Sequence, residues 1–144
     1  MEKKDEKDRP RISKRPQRYR FFLNPYQDVR FSKCPQCTNK TGRRKLPLFI
    51  HIPPDQPVFL NKTCRYCAHC DLLIAHRNEL DKLVKHILTM INSELPGDEY
   101  LVVGTVDRPV WKRIREENIP PHEWVEMVYI FKEAVTFTPV GGWG

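Results

Sequence analysis

No long apolar run occurs in this sequence. Its longest stretch without a charged residue is the eleven residues from Ala134 to Gly144. A membrane-spanning helix needs about 20 mostly apolar residues, so none is expected. Met1 to Asp8 is largely charged and holds no apolar segment, so no secretory signal is read there. A phosphate-cradling glycine loop and a nucleophile elbow are also missing. Asp98, Glu99 and Asp107 form no informative carboxylate pair. His122-Glu123 lacks the second histidine of a zinc-protease helix, since Glu126 stands in its place. No catalytic set rises above background, although triads can assemble from distant residues. Without export, the expected location is a reducing cytoplasm, where cysteines bind metal or do chemistry rather than form disulfides.

The 144 residues fit one domain with a tail. The net charge of +7 is unevenly placed. Met1 to Arg20 carries nine Lys/Arg against four Asp/Glu, leaving 16 against 14 for the rest. From Arg9 to Arg20 the basic residues Arg9, Arg11, Lys14, Arg15, Arg18 and Arg20 occur with no acid, spaced by Pro10 and Pro16. Such a stretch cannot bury enough apolar surface to order itself. Residues 1–18 are therefore expected to be a disordered basic tail, and 19–144 a single domain. The tail reads as a solubilising end or as an arm for nucleic-acid phosphates or an acidic protein surface. Tyr19, Phe21 and Phe22 read as the first core residues, with base stacking the other option.

Val29-Arg30-Phe31-Ser32 alternates as a short strand. Thr38 to Lys45 reads as a polar loop, which makes Arg43-Arg44-Lys45 a basic loop beside the first cysteine pair. Leu46 to Ile52 and Val58 to Leu60 read as strands separated by a proline-rich turn, and Leu72 to Ala75 as a third. Leu80, Leu83, Val84, Ile87, Leu88 and Ile91 form one apolar stripe, predicting a helix over 79–91 with Asn78 as its N-cap. Tyr100 to Val106 reads as a buried strand and Pro109 to Glu117 as a short helix. Trp124, Met127, Val128 and Phe131 keep helical spacing, which predicts a helix over 123–132. The class is α+β.

All five cysteines fall into pairs with a two-residue gap: Cys34 with Cys37, and Cys67 with Cys64 or Cys70. This gap lets both thiolates of a tight turn point at one ion, and two such turns complete a tetrahedron. The 26 residues from Thr38 to Thr63 leave room to depart and return through strands. Four of Cys34, Cys37, Cys64, Cys67 and Cys70 are expected to bind one zinc ion per chain.

At these residues the chain resembles the zinc-ribbon class, over about Phe31 to His76. The resemblance rests on the paired spacing and on Pro35 inside the first pair. It implies two knuckles at hairpin ends gripping a structural, closed four-cysteine zinc site that serves nucleic-acid or protein contacts. The zinc-ribbon-like part would span about 29–76 and an α/β part about 77–144. Ribbons usually place glycine just after the second cysteine of a knuckle, where this chain has Thr38. The second group offers Ala68 or Asp71 there. Asp tolerates left-handed backbone better than Ala, which favours Cys67 with Cys70 and leaves Cys64 on the incoming strand.

Two other chemistries use similar spacing. Cys34-Pro35-Gln36-Cys37 also looks like a thioredoxin-type redox site, but that chemistry needs a following helix and Thr38 to Arg44 is a poor one. Three cysteines at two-residue gaps match most of a ferredoxin cluster run, yet Ile74 stands where its fourth cysteine belongs. His69 could donate a hydrogen bond near the metal or replace a thiolate; a solvent-facing position suits it better. His51 and His76 read as strand-end residues and His86 as exposed. Trp143 could anchor the C-terminal segment to the domain or to a partner. The leading reading is a non-enzymatic zinc-binding module for nucleic acid or a protein partner, with a small metal- or thiol-dependent enzyme, or an iron–sulfur protein, as the alternative. The sequence leaves the oligomeric state open.

Overall fold

The computed structural model describes residues 15–139. Arg9, Arg11, Lys14 and Trp143 lie outside the described residues, as does most of the expected tail. The chain builds β1 (Arg20–Asn24), β2 (Gly42–Ile52), β3 (Gln56–Cys67), β4 (Leu72–His76), α1 (Arg77–Met90), β5 (Leu101–Thr105), α2 (Arg108–Glu116) and α3 (Pro121–Trp124). A 3-10 turn, Val125–Met127, then leads to β6 (Tyr129–Ile130) and β7 (Glu133–Ala134). The content is mixed α and β. All the strands join one sheet in the order β6-β5-β2-β3-β4-β1-β7. Its two parallel pairs are β1 with β4 and β1 with β7. Strands from both halves of the chain thus share one sheet, with β5 on β2 and β7 on β1.

Alternating strand residues go to opposite faces of a sheet. On one face Leu48, Ile50, Leu73 and Ala75 pack with Leu80, Val84 and Leu88 of α1, the buried part of its predicted stripe. On the other face two smaller clusters sit side by side. Phe49 and Phe59 pack with Val106, Ile114 and Val128 near α2 and α3. Phe22, Leu72 and Ile74 pack with Phe31 and two buried cysteines, Cys34 and Cys67. Tyr19, Phe21 and Phe22 are all buried, as core residues should be.

Several local expectations give way to tertiary pairing. Arg43-Arg44-Lys45 is strand, not loop, because it pairs residue for residue with Arg65, Cys64 and Thr63 of β3. Val29–Ser32 is not a strand. The buried Asn24 side chain donates to the Val29 carbonyl (2.6 Å) and accepts from the Tyr26 amide (2.9 Å), and Phe31 turns to φ +54° with its ring under Phe22. The helix of Arg77–Met90 is N-capped at His76 rather than Asn78, since β4 stays paired to β1 through Asn24 and His76 and runs straight into it. The helix expected over 123–132 breaks after Trp124 and the 3-10 turn. Val128 is wholly buried, and Tyr129 and Ile130 then pair with Thr105 and Gly104 of β5. That approach needs Gly104, where a Cβ would press on Val128 Cγ1 at 2.8 Å. Leu101 remains 63 % exposed, so β5 is less buried than its apolar run suggests.

Candidate metal centre

The first cysteine pair lies in the β1–β2 connection. An antiparallel bridge from Lys33 to Lys40 closes its base, and within it the Cys34 amide donates to the Asn39 carbonyl (2.7 Å). The Thr38 amide donates to the Cys34 carbonyl (2.9 Å), and Thr38 takes φ +65°. Thr41 ties the exit, its hydroxyl donating to the Phe31 carbonyl at 2.8 Å. The second pair spans the β3–β4 turn: Cys67 ends β3, Cys70 follows in the turn, and Asp71 takes φ +54°. Left-handed backbone thus follows the last cysteine of each pair, at a threonine and an aspartate rather than at glycine.

Asp71 also pins the turn in place. Its carboxylate accepts from the Tyr66 hydroxyl (3.0 Å) and the Tyr19 amide (3.2 Å) and pairs with Lys132 (3.1 Å). These partners outweigh partial desolvation and hold its carboxyl below the ordinary value. Sequence reasoning found Asp71 for its backbone tolerance but missed this anchoring role. Nothing local in the sequence links Tyr66 or Lys132 to it.

These turns gather the Sγ atoms of Cys34, Cys37, Cys67 and Cys70 within 4.8 Å of one another. Cys34 and Cys70 stand 3.9 Å apart, and Cys37 and Cys67 3.5 Å. All are free thiols. A tetrahedral ion with metal–sulfur bonds of about 2.3 Å separates its ligands by about 3.8 Å, so the spacing fits a metal centre. Cys34 and Cys67 are buried against Phe22, Phe31 and Leu72, while Cys37 and Cys70 are half-buried.

The Asn39 backbone amide lowers the Cys37 thiol to about 7. Burial, reinforced by hydrogen bonds to neighbouring sulfurs, pushes Cys70 up to about 12, and burial also raises Cys67. One thiolate forms readily here; further negative charge among crowded sulfurs needs a cation at the centre. The Gln36 amide already points at Cys34 Sγ (3.4 Å).

Cys64 stands apart. It lies in the core beneath α1 at 2 % exposure, and burial pushes its thiol up to about 12. A strand has a side-chain period of two, so residues three apart face opposite ways. Cys64 and Cys67 both lie on β3 and therefore cannot share an ion. The deciding signal was how far β3 extends. His69 is exposed and outside the sulfur cluster, as is His86.

The basic candidates divide. Arg18 donates to Tyr19 Oη (2.9 Å), pairs with Asp107 (3.3 Å) and stacks over Tyr129. Arg15 also lies over Tyr129, Arg44 over Tyr66 at 4.1 Å, and Arg20 pairs with Glu133 (3.0 Å). Arg43 and Lys45 are exposed on β2 and have no ion-pair partner among the described residues. No helix among the described residues is long and apolar enough to cross a membrane. Comparison with known protein families, curated proteins and solved structures finds no match to this chain.

Proposed function

We propose that Cys34, Cys37, Cys67 and Cys70 hold one structural zinc ion, and that the protein is a non-enzymatic, zinc-organised module that contacts nucleic acid. The convergence of four sulfurs from two separate turns carries this reading. Four thiolates fill a tetrahedral shell, whereas a catalytic zinc keeps a position for water or substrate. Such thiols suit a reducing cytoplasm. Arg43 and Lys45, with the basic residues that precede Arg15, supply attraction for phosphates.

Elemental analysis of untagged protein should find about one zinc per chain and no colour. A metal-free, fully folded protein overturns the first half of the reading, and a brown one redirects it to iron–sulfur chemistry. Fluorescence anisotropy with labelled single-stranded nucleic acid should give log K falling linearly with log salt, by about 0.7 per phosphate contacted. Removing residues 1–14 should weaken binding and flatten that slope. Binding indifferent to both salt and truncation refutes the nucleic-acid half and leaves a protein partner.

A further inference from the structure

Strands β3 and β4 pair only where Arg65–Cys67 meets Leu72–Ile74. Beyond that point β3 follows β2 while β4 follows β1 into α1, and the sheet splits. The split opens a cleft of about 320 Å³, lined by residues of several elements and by none of the four clustered cysteines. Arg30 enters from the β1–β2 connection, Arg43 from β2, and Lys62 and Arg65 from β3. Glu79, in the first turn of α1, is the one acid among them.

The charges do not balance. Glu79 pairs with Lys62 (2.7 Å) and with Arg30 (2.6 Å), which leaves four cations sharing one carboxylate. Among the described residues, Arg65 has only the Thr41 carbonyl at 3.5 Å and Arg43 has no ion-pair partner. Lys62 is a built-in part of the cleft, its side chain only 9 % exposed. Its ammonium has three donors, of which Glu79 and the Thr63 carbonyl use two. Like charges crowded together without compensation destabilise a fold, unless an anion joins them. The uncapped N-terminus of α1 adds positive potential beside Glu79.

We propose that this cleft binds a phosphate group, carried by a nucleotide or by a nucleic-acid strand. An excess of three positive charges matches a phosphate dianion better than a single carboxylate. Arginine forks fit phosphate oxygens in pairs. The volume is near the lower limit of small-molecule pockets, about 300 Å³, so a phosphate with its sugar fits better than a large cofactor. The strand version rests on the nucleic-acid reading above; the preference for phosphate does not.

Zinc-loaded full-length protein is titrated with adenosine 5′-monophosphate, with adenosine and with a short single-stranded RNA. Variants are Arg43→Ala, Arg65→Ala, Glu79→Gln and, as a control on α2, Lys112→Ala, each checked for zinc content and melting. The monophosphate should bind and adenosine should not. Arg43→Ala and Arg65→Ala should each weaken phosphate binding about tenfold. Lys112→Ala should change nothing, and Glu79→Gln should tighten binding. Arg43→Ala keeps the test informative even if Arg65→Ala unsettles the fold, because Arg43 is exposed and has no ion-pair partner among the described residues. Adenosine binding as well as its monophosphate overturns the inference. So does phosphate binding that neither arginine variant weakens beyond the control. Monophosphate binding through Arg43 without RNA binding supports the cleft and refutes the nucleic-acid reading. RNA binding that depends on residues 1–14 but not on Arg43 does the reverse.

Discussion

Removing the metal should unfold the half of the sheet that the cysteines organise. Structural zinc in small peptides binds with an apparent energy of about 10–16 kcal/mol, while a whole domain is stable by only about 5–15 kcal/mol. If even half of the lower binding value is lost, stability falls by about 5 kcal/mol. At about 3–4 °C per kcal/mol for a chain of this size, Tm drops by about 15–20 °C. The damage should be local first. Phe22, Leu72 and Ile74 share their cluster with Cys34 and Cys67, so amides of β1 and β4 should lose exchange protection before those of α2. Calorimetry with and without chelator, followed by hydrogen exchange, reads both effects. Cys67→Ser should reproduce the chelator. Cys64→Ser is the internal control: it should keep its zinc and cost about 1–3 kcal/mol, for a hydroxyl placed in an apolar core. The reasoning fails if chelated protein melts within a few degrees of the untreated protein, or if Cys64→Ser releases the metal.

Two further outcomes follow from the fold. Hydrogen bonds from Lys62 and then Arg30 hold the Glu79 carboxyl down from 4.5 to about 2. A folded-state value below the unfolded one means this stabilisation is present at neutral pH and lost as pH falls from about 4.5 towards 2. Glu79 is 41 % exposed, so screening limits the effect to about 1 kcal/mol. Acid titration of Glu79→Gln should show a shallower loss over that window, and an unchanged profile counts against the pairing. Gly104→Ala should lose at least about 2 kcal/mol in denaturant unfolding, because its Cβ would clash with the Tyr129 carbonyl oxygen of β6 and meet Val128 Cγ1 at 2.8 Å and Ile130 Cα at 3.0 Å. A variant as stable as the parent would show that β6 does not lie against β5.

The parts legible in the sequence were those whose pattern is local. The stripe from Leu80 to Leu88 gave α1 because its buried positions repeat at helical spacing. The two-residue cysteine gaps pointed to the sulfur cluster because each pair lies within a few residues of chain. Arg43-Arg44-Lys45 misled because a polar composition signals loop, while its strand character comes from β3, more than fifteen residues away. The 123–132 segment misled for the same reason: Trp124, Met127 and Val128 face one cluster, but the backbone that carries them follows β5. The cleft left no trace at all, since its cations come from different elements and meet only where β3 and β4 part.

The placement of the sulfur cluster also bears on how the sheet is assembled. β1 and β4 are parallel neighbours about fifty residues apart in sequence, and such pairing bears the entropy of a long closure before any ladder forms. The first cysteine pair follows β1 and the second precedes β4. With an ion bound, Cys37 and Cys67 are joined across a loop of about thirty residues, whose closure entropy is about 3 kcal/mol. The ion would bear that cost through sulfur bonds, leaving β1 and β4 close enough to pair with little further loss. A metal bound there would act on the order of assembly as well as on final stability. Zinc added to reduced, denatured chain should therefore speed refolding, whereas zinc that only tightens the finished fold should slow unfolding and leave the refolding rate unchanged.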